Sequence, residues 1–82
     1  MEKFVAIEDG VEKEYSIIMT FDSDKTNKSY IVYTDGSKDS LGNLEERVSS
    51  FNIIEDKYLL SPIENEEEWN MVKIVINAIQ NN

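Results

Sequence analysis

The 82-residue chain contains no cysteine and no histidine, a single proline and only three glycines. Without cysteine, neither a disulfide framework nor a thiolate metal site can supplement the hydrophobic core, and thiol redox chemistry is excluded. Without histidine, the chain lacks the side chain whose unperturbed pKa lies nearest neutrality and the commonest imidazole metal ligand. Positive charge is also scarce, with 8 basic residues against 17 acidic ones and a net charge of -9. Such a field repels phosphate backbones and anionic lipid heads, so neither nucleic acid nor a membrane is an expected partner. No stretch approaches the ~18 apolar residues of a membrane span. The opening MEKFVAIEDG offers four apolar residues in a row, short of a secretory core, and a cytoplasmic location is expected.

What is present suffices for a core. Hydrophobic residues make up 40% of the chain, including Trp69, four tyrosines and three phenylalanines. A chain of this length holds one domain, residues 1–82, that buries roughly 60–65% of the surface its unfolded form exposes. Residues 4–8 are rich in strand formers, and Asp9-Gly10 after them is a strong two-residue hairpin signal. The next segment, about 12–22, alternates, with Tyr15, Ile17, Met19 and Phe21 on one face and Ser16, Ile18 and Thr20 on the other. Asp22 to Ser29 is wholly polar and reads as a solvated connection longer than a tight turn. YIVY in the segment 29–34 favours a covered strand.

After the Asp35–Glu46 loop, which Leu41 and Leu44 are placed to pin back, residues 47–54 and 57–61 read as two further strands. Their turn, Glu55-Asp56, lacks glycine and so is expected to be looser than a type I′ turn. Ser61-Pro62 ends the last strand. Asn65 followed by three glutamates marks a helix start, with Glu68 positioned for a reciprocal cap, and the helix is placed at 66–80. On its wheel Trp69, Met71, Val72, Val75, Ile76, Ala78 and Ile79 share one half, and Ile74 at the margin widens the apolar arc. The expected class is α+β: a mostly antiparallel meander of about five strands with one C-terminal amphipathic helix packed on its oily side.

Candidate chemistry is thin. Asp35, Ser37, Asp39, Asn43 and Glu46 fall at the first, third, fifth, ninth and twelfth places of a calcium loop. Yet its sixth place is Ser40 where glycine is needed, and a strand former enters it where a helix should. Asp35, Asp39 and Glu46 are thus weak metal candidates beside the plainer reading of a polar loop. Asp22, Asp24 and Asn27 are weaker still, because Lys25 and Lys28 lie among them. Ser49, Ser50 and Thr34 have no histidine to activate them, and the acidic clusters sit in turns, where burial does not separate carboxylate pKa values. No catalytic residue and no cofactor are expected.

The segment SPIENEEEW with the apolar helix after it resembles the ending of the YrzB-like family of small uncharacterised bacterial proteins. EKEYSIIMTFDSDKTNKSYIVYTDG resembles the same family's long strand, its Phe-acid-Ser-acid stretch and its YIVY-type segment. Phe21, Tyr30, Pro62, Ile63, Glu68 and Trp69 carry most of this likeness, while Lys38 and Arg47 make the middle loop less uniformly acidic than in many members. The resemblance implies a fold and a domain of unknown function, with no activity to carry over. The residues themselves point to a non-enzymatic module that binds a basic protein partner, with Glu66, Glu67 and Ile74 as candidate contacts and a strand edge or the helix face as the docking surface. The alternative is a self-associating structural protein, monomer against homodimer, pairing through the helix face or a strand edge.

Overall fold

A computed structural model describes residues 1–81; Asn82, the last residue of the expected domain, lies outside the described residues. Strands β1 (Lys3–Glu8), β2 (Val11–Ser23), β3 (Lys28–Thr34), β4 (Arg47–Ile54) and β5 (Lys57–Ser61) precede helix α1 (Glu66–Gln80). Five strands and a C-terminal helix make the α+β class, but the sheet is not an open meander. It closes into a barrel in the order β1-β2-β3-β4-β5. Consecutive strands pair antiparallel, whereas β1 and β5 pair parallel through Ala6↔Tyr58 and Ile7↔Leu59. The parity follows from strand number: in an odd up-and-down meander the first and last strands run the same way, so the closing pair must be parallel.

The turns set the registers. Asp9 and Gly10 have φ of 52° and 78°, both left-handed, joining Glu8↔Val11 as a type I′ hairpin turn requires. A Cβ on Gly10 would meet nothing within 4 Å, so backbone angle and not space favours glycine there. Glu55 and Asp56 also take φ of 51° and 66° between Ile54 and Lys57. This turn is therefore as tight as a type I′ turn despite lacking glycine, because the flanking strand pairing imposes left-handed geometry. The polar connection after β2 is likewise shorter than expected. Ser23 pairs with Lys28, Asn27 takes φ of 57°, and its N–H bonds the Ser23 carbonyl at 2.9 Å.

The alternation in β2 does not keep one face. Ile17 opposes Tyr33 but Met19 opposes Val32, so Ile18 is an extra residue in a β-bulge. The inserted residue reverses the parity beyond it. Tyr15 and Ile17 point into one cluster, with Phe4, Ala6, Ile31, Tyr33 and Leu60, while Phe21 joins another with Tyr30, Ile63 and Val72. The first cluster draws on all five strands, with Phe51 from β4, and fills the barrel. The second lies under the helix, where Trp69, Met71 and Ile76 pack beside Val72. Two apolar surfaces thus replace the single oily side expected.

α1 begins as its sequence requires. Asn65 Oδ1 accepts from the N–H groups of Glu67 at 2.8 Å and Glu68 at 3.2 Å, with three acids at the positive end of the dipole. Glu68 does not return the cap; it turns to the barrel instead. Ala78 and Ile79, assigned to the apolar face, are exposed, and seating depends on the earlier turns. Among the described residues no helix is long and apolar enough to cross a membrane.

Candidate functional site

Two polar networks and a groove hold most of the side chains that are drawn together in the fold. The first network sits beside the barrel core. Tyr15 Oη donates to Glu8 Oε1 at 2.7 Å, and Lys13 Nζ donates to the same oxygen at 3.3 Å. Arg47 Nη1 donates to Tyr15 Oη at 3.5 Å, its guanidinium lies 5.9 Å from the centre of the Tyr15 ring, and Nη2 reaches Asp35 Oδ2 at 3.5 Å. Burial, then the bond to Glu8, pushes the Tyr15 phenol up to about 12. The Tyr15 bond, then Lys13, draws Glu8 below the usual carboxylate range against the opposing pull of burial. Both groups move away from neutrality, the reverse of what a general acid–base pair requires. The network is a locked bond between a neutral phenol and a carboxylate.

The second network fastens helix to barrel. Tyr30 Oη donates to Glu68 Oε2 at 2.6 Å and shares a 2.8 Å bond with Thr26 Oγ1, while Lys28 Nζ reaches Glu68 Oε2 at 3.1 Å. The Glu68 side chain is 10% exposed. Its pKa falls because of the Tyr30 bond first, with burial opposing and Lys28 assisting; Tyr30 is raised by burial and then by Glu68. By sequence position Glu68 is a helix-cap residue and Tyr30 a strand residue. Their bond spans 38 residues, and no local pattern announces it.

The weak metal candidates are not brought together. Asp35 Oδ1 accepts from the Ser37 N–H at 2.8 Å, and that backbone bond leads the lowering of its pKa. Asp39 Oδ1 accepts from the N–H groups of Leu41 and Asn43, both at 2.9 Å, in a small turn held by a Lys38↔Leu44 bridge. Glu46 Oε1 accepts from Gln80 Nε2 at 3.1 Å. Each carboxylate faces its own partner, and among the described residues no three acidic side chains gather as a cation site. Leu44 is half-buried, but Leu41 is 84% exposed and does not pin the loop. Asp22 accepts from Ser29 Oγ at 2.6 Å. The hydroxyl candidates are engaged structurally: Ser49 with Tyr33 Oη at 2.9 Å, Ser50 with the Ser61 carbonyl at 3.3 Å, and Thr34 with the Gly36 N–H at 3.0 Å.

An open groove runs between the β2–β3 turn and α1. Two adjoining depressions of about 460 and 440 Å³ share Lys25, Glu67 and Met71 in their walls. One extends to Thr26 and Asn65 and the other to Ile74 and Val75. Ile74 is 69% exposed; Glu67, also exposed, lines the same groove, while the exposed Glu66 lines a separate depression with Glu64, Trp69, Asn70 and Lys73. Lys3, Lys13, Lys28, Arg47 and Lys57 each pair with a carboxylate, and Lys73 lies 5.9 Å from the Trp69 ring centre. Neither Glu66, Glu67 nor Lys25 has an ion-pair partner among the described residues.

Fold and site together define a small barrel with a clamped terminal helix and an open groove along that helix. The chain belongs to the family described as "Protein of unknown function (DUF1292)", which matches residues 8–80. It is 38% identical to a UPF0473 protein of Bacillus pumilus, over 94% of this chain and 85% of that protein. A UPF0473 protein of Oenococcus oeni is 35% identical, with 94% and 78% covered, and one from Listeria monocytogenes serotype 4b is 32% identical, with 89% and 75% covered. The family is thus bacterial. No solved structure matches the chain.

Proposed function

We propose that this protein is a non-catalytic interaction module of the cytoplasm that presents the outer face of α1 to a basic protein partner. The observation carrying this reading is Ile74, 69% exposed on the same helix as the exposed, unpaired Glu66 and Glu67. An apolar centre beside desolvatable charge is the arrangement that gives a docking surface both affinity and selectivity. Barrel closure removes the alternative of a free edge at β1 where β5 pairs with it. Self-association through the helix is the less favoured reading, because two copies each carrying a charge of -9 repel one another and α1 has no basic residue in its last turn to meet the other copy's glutamates.

Affinity capture at low and high salt tests this. The expected partner is basic, is retained at low salt, is released at high salt and is lost when Glu66→Lys and Glu67→Lys are combined. A partner set indifferent to both salt and charge reversal would contradict the proposal.

A further inference from the structure

The groove beside α1 carries opposite charges on its two sides; Lys28 and Glu68 meet at 3.1 Å, whereas Lys25 and Glu67 do not pair. Lys25 projects from the β2–β3 turn on one side, Glu67 lies on the helix opposite, and no ion pair joins them among the described residues. The floor between is apolar. Met71 and Val75 are half-buried and Ile74 is largely exposed, and with Glu67 and Ala78 they follow the spacing of one helix stripe. From Glu67 to Ala78 this stripe is about 16 Å long at 1.5 Å per residue, the length of roughly three helical turns. The Tyr30–Glu68 and Lys28–Glu68 bonds tie the hairpin wall to the helix at the groove.

We infer that this groove receives an amphipathic helix of the partner, its apolar stripe on Met71, Ile74 and Val75, a basic residue at the end of the stripe that lies over Glu67 and a carboxylate on the flank facing Lys25. This deepens the proposed docking on α1 and rests on it. A wholly basic segment would neutralise Glu67 but bring like charge against Lys25. A bipolar helix satisfies both walls, and the match sets its rotation in the groove.

Two synthetic peptides of about fifteen residues test the inference, both with leucines at i, i+3, i+4 and i+7. One carries lysine at one end of its leucine stripe and glutamate along one flank; the second carries lysine at both places. Titration into the ¹⁵N-labelled protein at low salt should show the bipolar peptide moving the amides of residues 24–28 and 67–78 together. It should bind about threefold more tightly than the all-lysine peptide, the size of one exposed ion pair. Lys25→Glu should reverse that order, and Ile74→Asp should weaken both peptides by about tenfold or more. If the all-lysine peptide binds more tightly to both the parent and Lys25→Glu proteins, moving only residues 64–70, the groove assignment fails and basic docking on α1 survives. If neither peptide moves any amide at millimolar concentration, both fail.

Discussion

Replacing Tyr30 by phenylalanine removes one hydroxyl and tests the clamp between helix and barrel. The lost bond is a 2.6 Å donation to the Glu68 carboxylate, with a second 2.8 Å contact to Thr26. A hydrogen bond to a charged group contributes about 1.5–3 kcal/mol, and the Glu68 side chain, only 10% exposed, would keep Lys28 as its main partner. A loss of about 2 kcal/mol lowers the melting temperature of a domain this size by about 8–16 °C. The effect must depend on pH, because the folded pKa of Glu68 lies below its ordinary value. A lowered carboxylate pKa contributes stability that is fully present above the unfolded value, about 4.3 for glutamate, and is lost as pH falls through the folded one. The gap between the parent and Tyr30→Phe proteins should therefore be full at pH 7 and shrink below about pH 4. Glu68→Gln should flatten the same part of the pH profile. Urea unfolding read by Trp69 fluorescence, the chain's sole tryptophan, supplies the assay. A Tyr30→Phe loss under about 0.5 kcal/mol at pH 7, or one that persists undiminished at pH 3, would refute the clamp.

Three further outcomes follow from the geometry. Asp56→Gly relieves a left-handed residue at φ 66° in the β4–β5 turn and should raise stability by about 0.5–1 kcal/mol, seen as a higher urea midpoint. Ala6→Leu forces three heavy atoms into a fully buried position where β1 meets β5, and should cost about 1–3 kcal/mol or prevent folding, scored by the same denaturation. Ile74→Asp alters a largely exposed position and should leave stability within about 0.5 kcal/mol by thermal melting while abolishing partner capture.

Strands and helix were legible wherever local chemistry repeats. Asp9-Gly10 announces its hairpin, YIVY its strand, and Asn65 with three glutamates the start of α1. The barrel was not legible, because closure depends on a parallel contact between Ala6 and Tyr58 that leaves no periodic trace. The bulge was hidden by the regularity of its own surroundings: Tyr15, Ile17, Met19 and Phe21 alternate perfectly on paper, and only pairing with β3 shows that Ile18 has no partner of its own. Ile74 stood out on the helical wheel, whereas the opposite wall at Lys25 belongs to a turn that read as a solvated loop. Nothing local relates Tyr30 to Glu68, and the signal for such a pair lies only in three dimensions.

The proposed docking surface is the outer face of α1. A photo-activatable side chain installed at Ile74 in living cells, with Asn52 on β4 as the control position, reads this in one experiment. Light should join position 74, and not position 52, to a protein rich in lysine and arginine. Adducts formed from position 52 alone, or from position 74 only to a second copy of this chain, would contradict it.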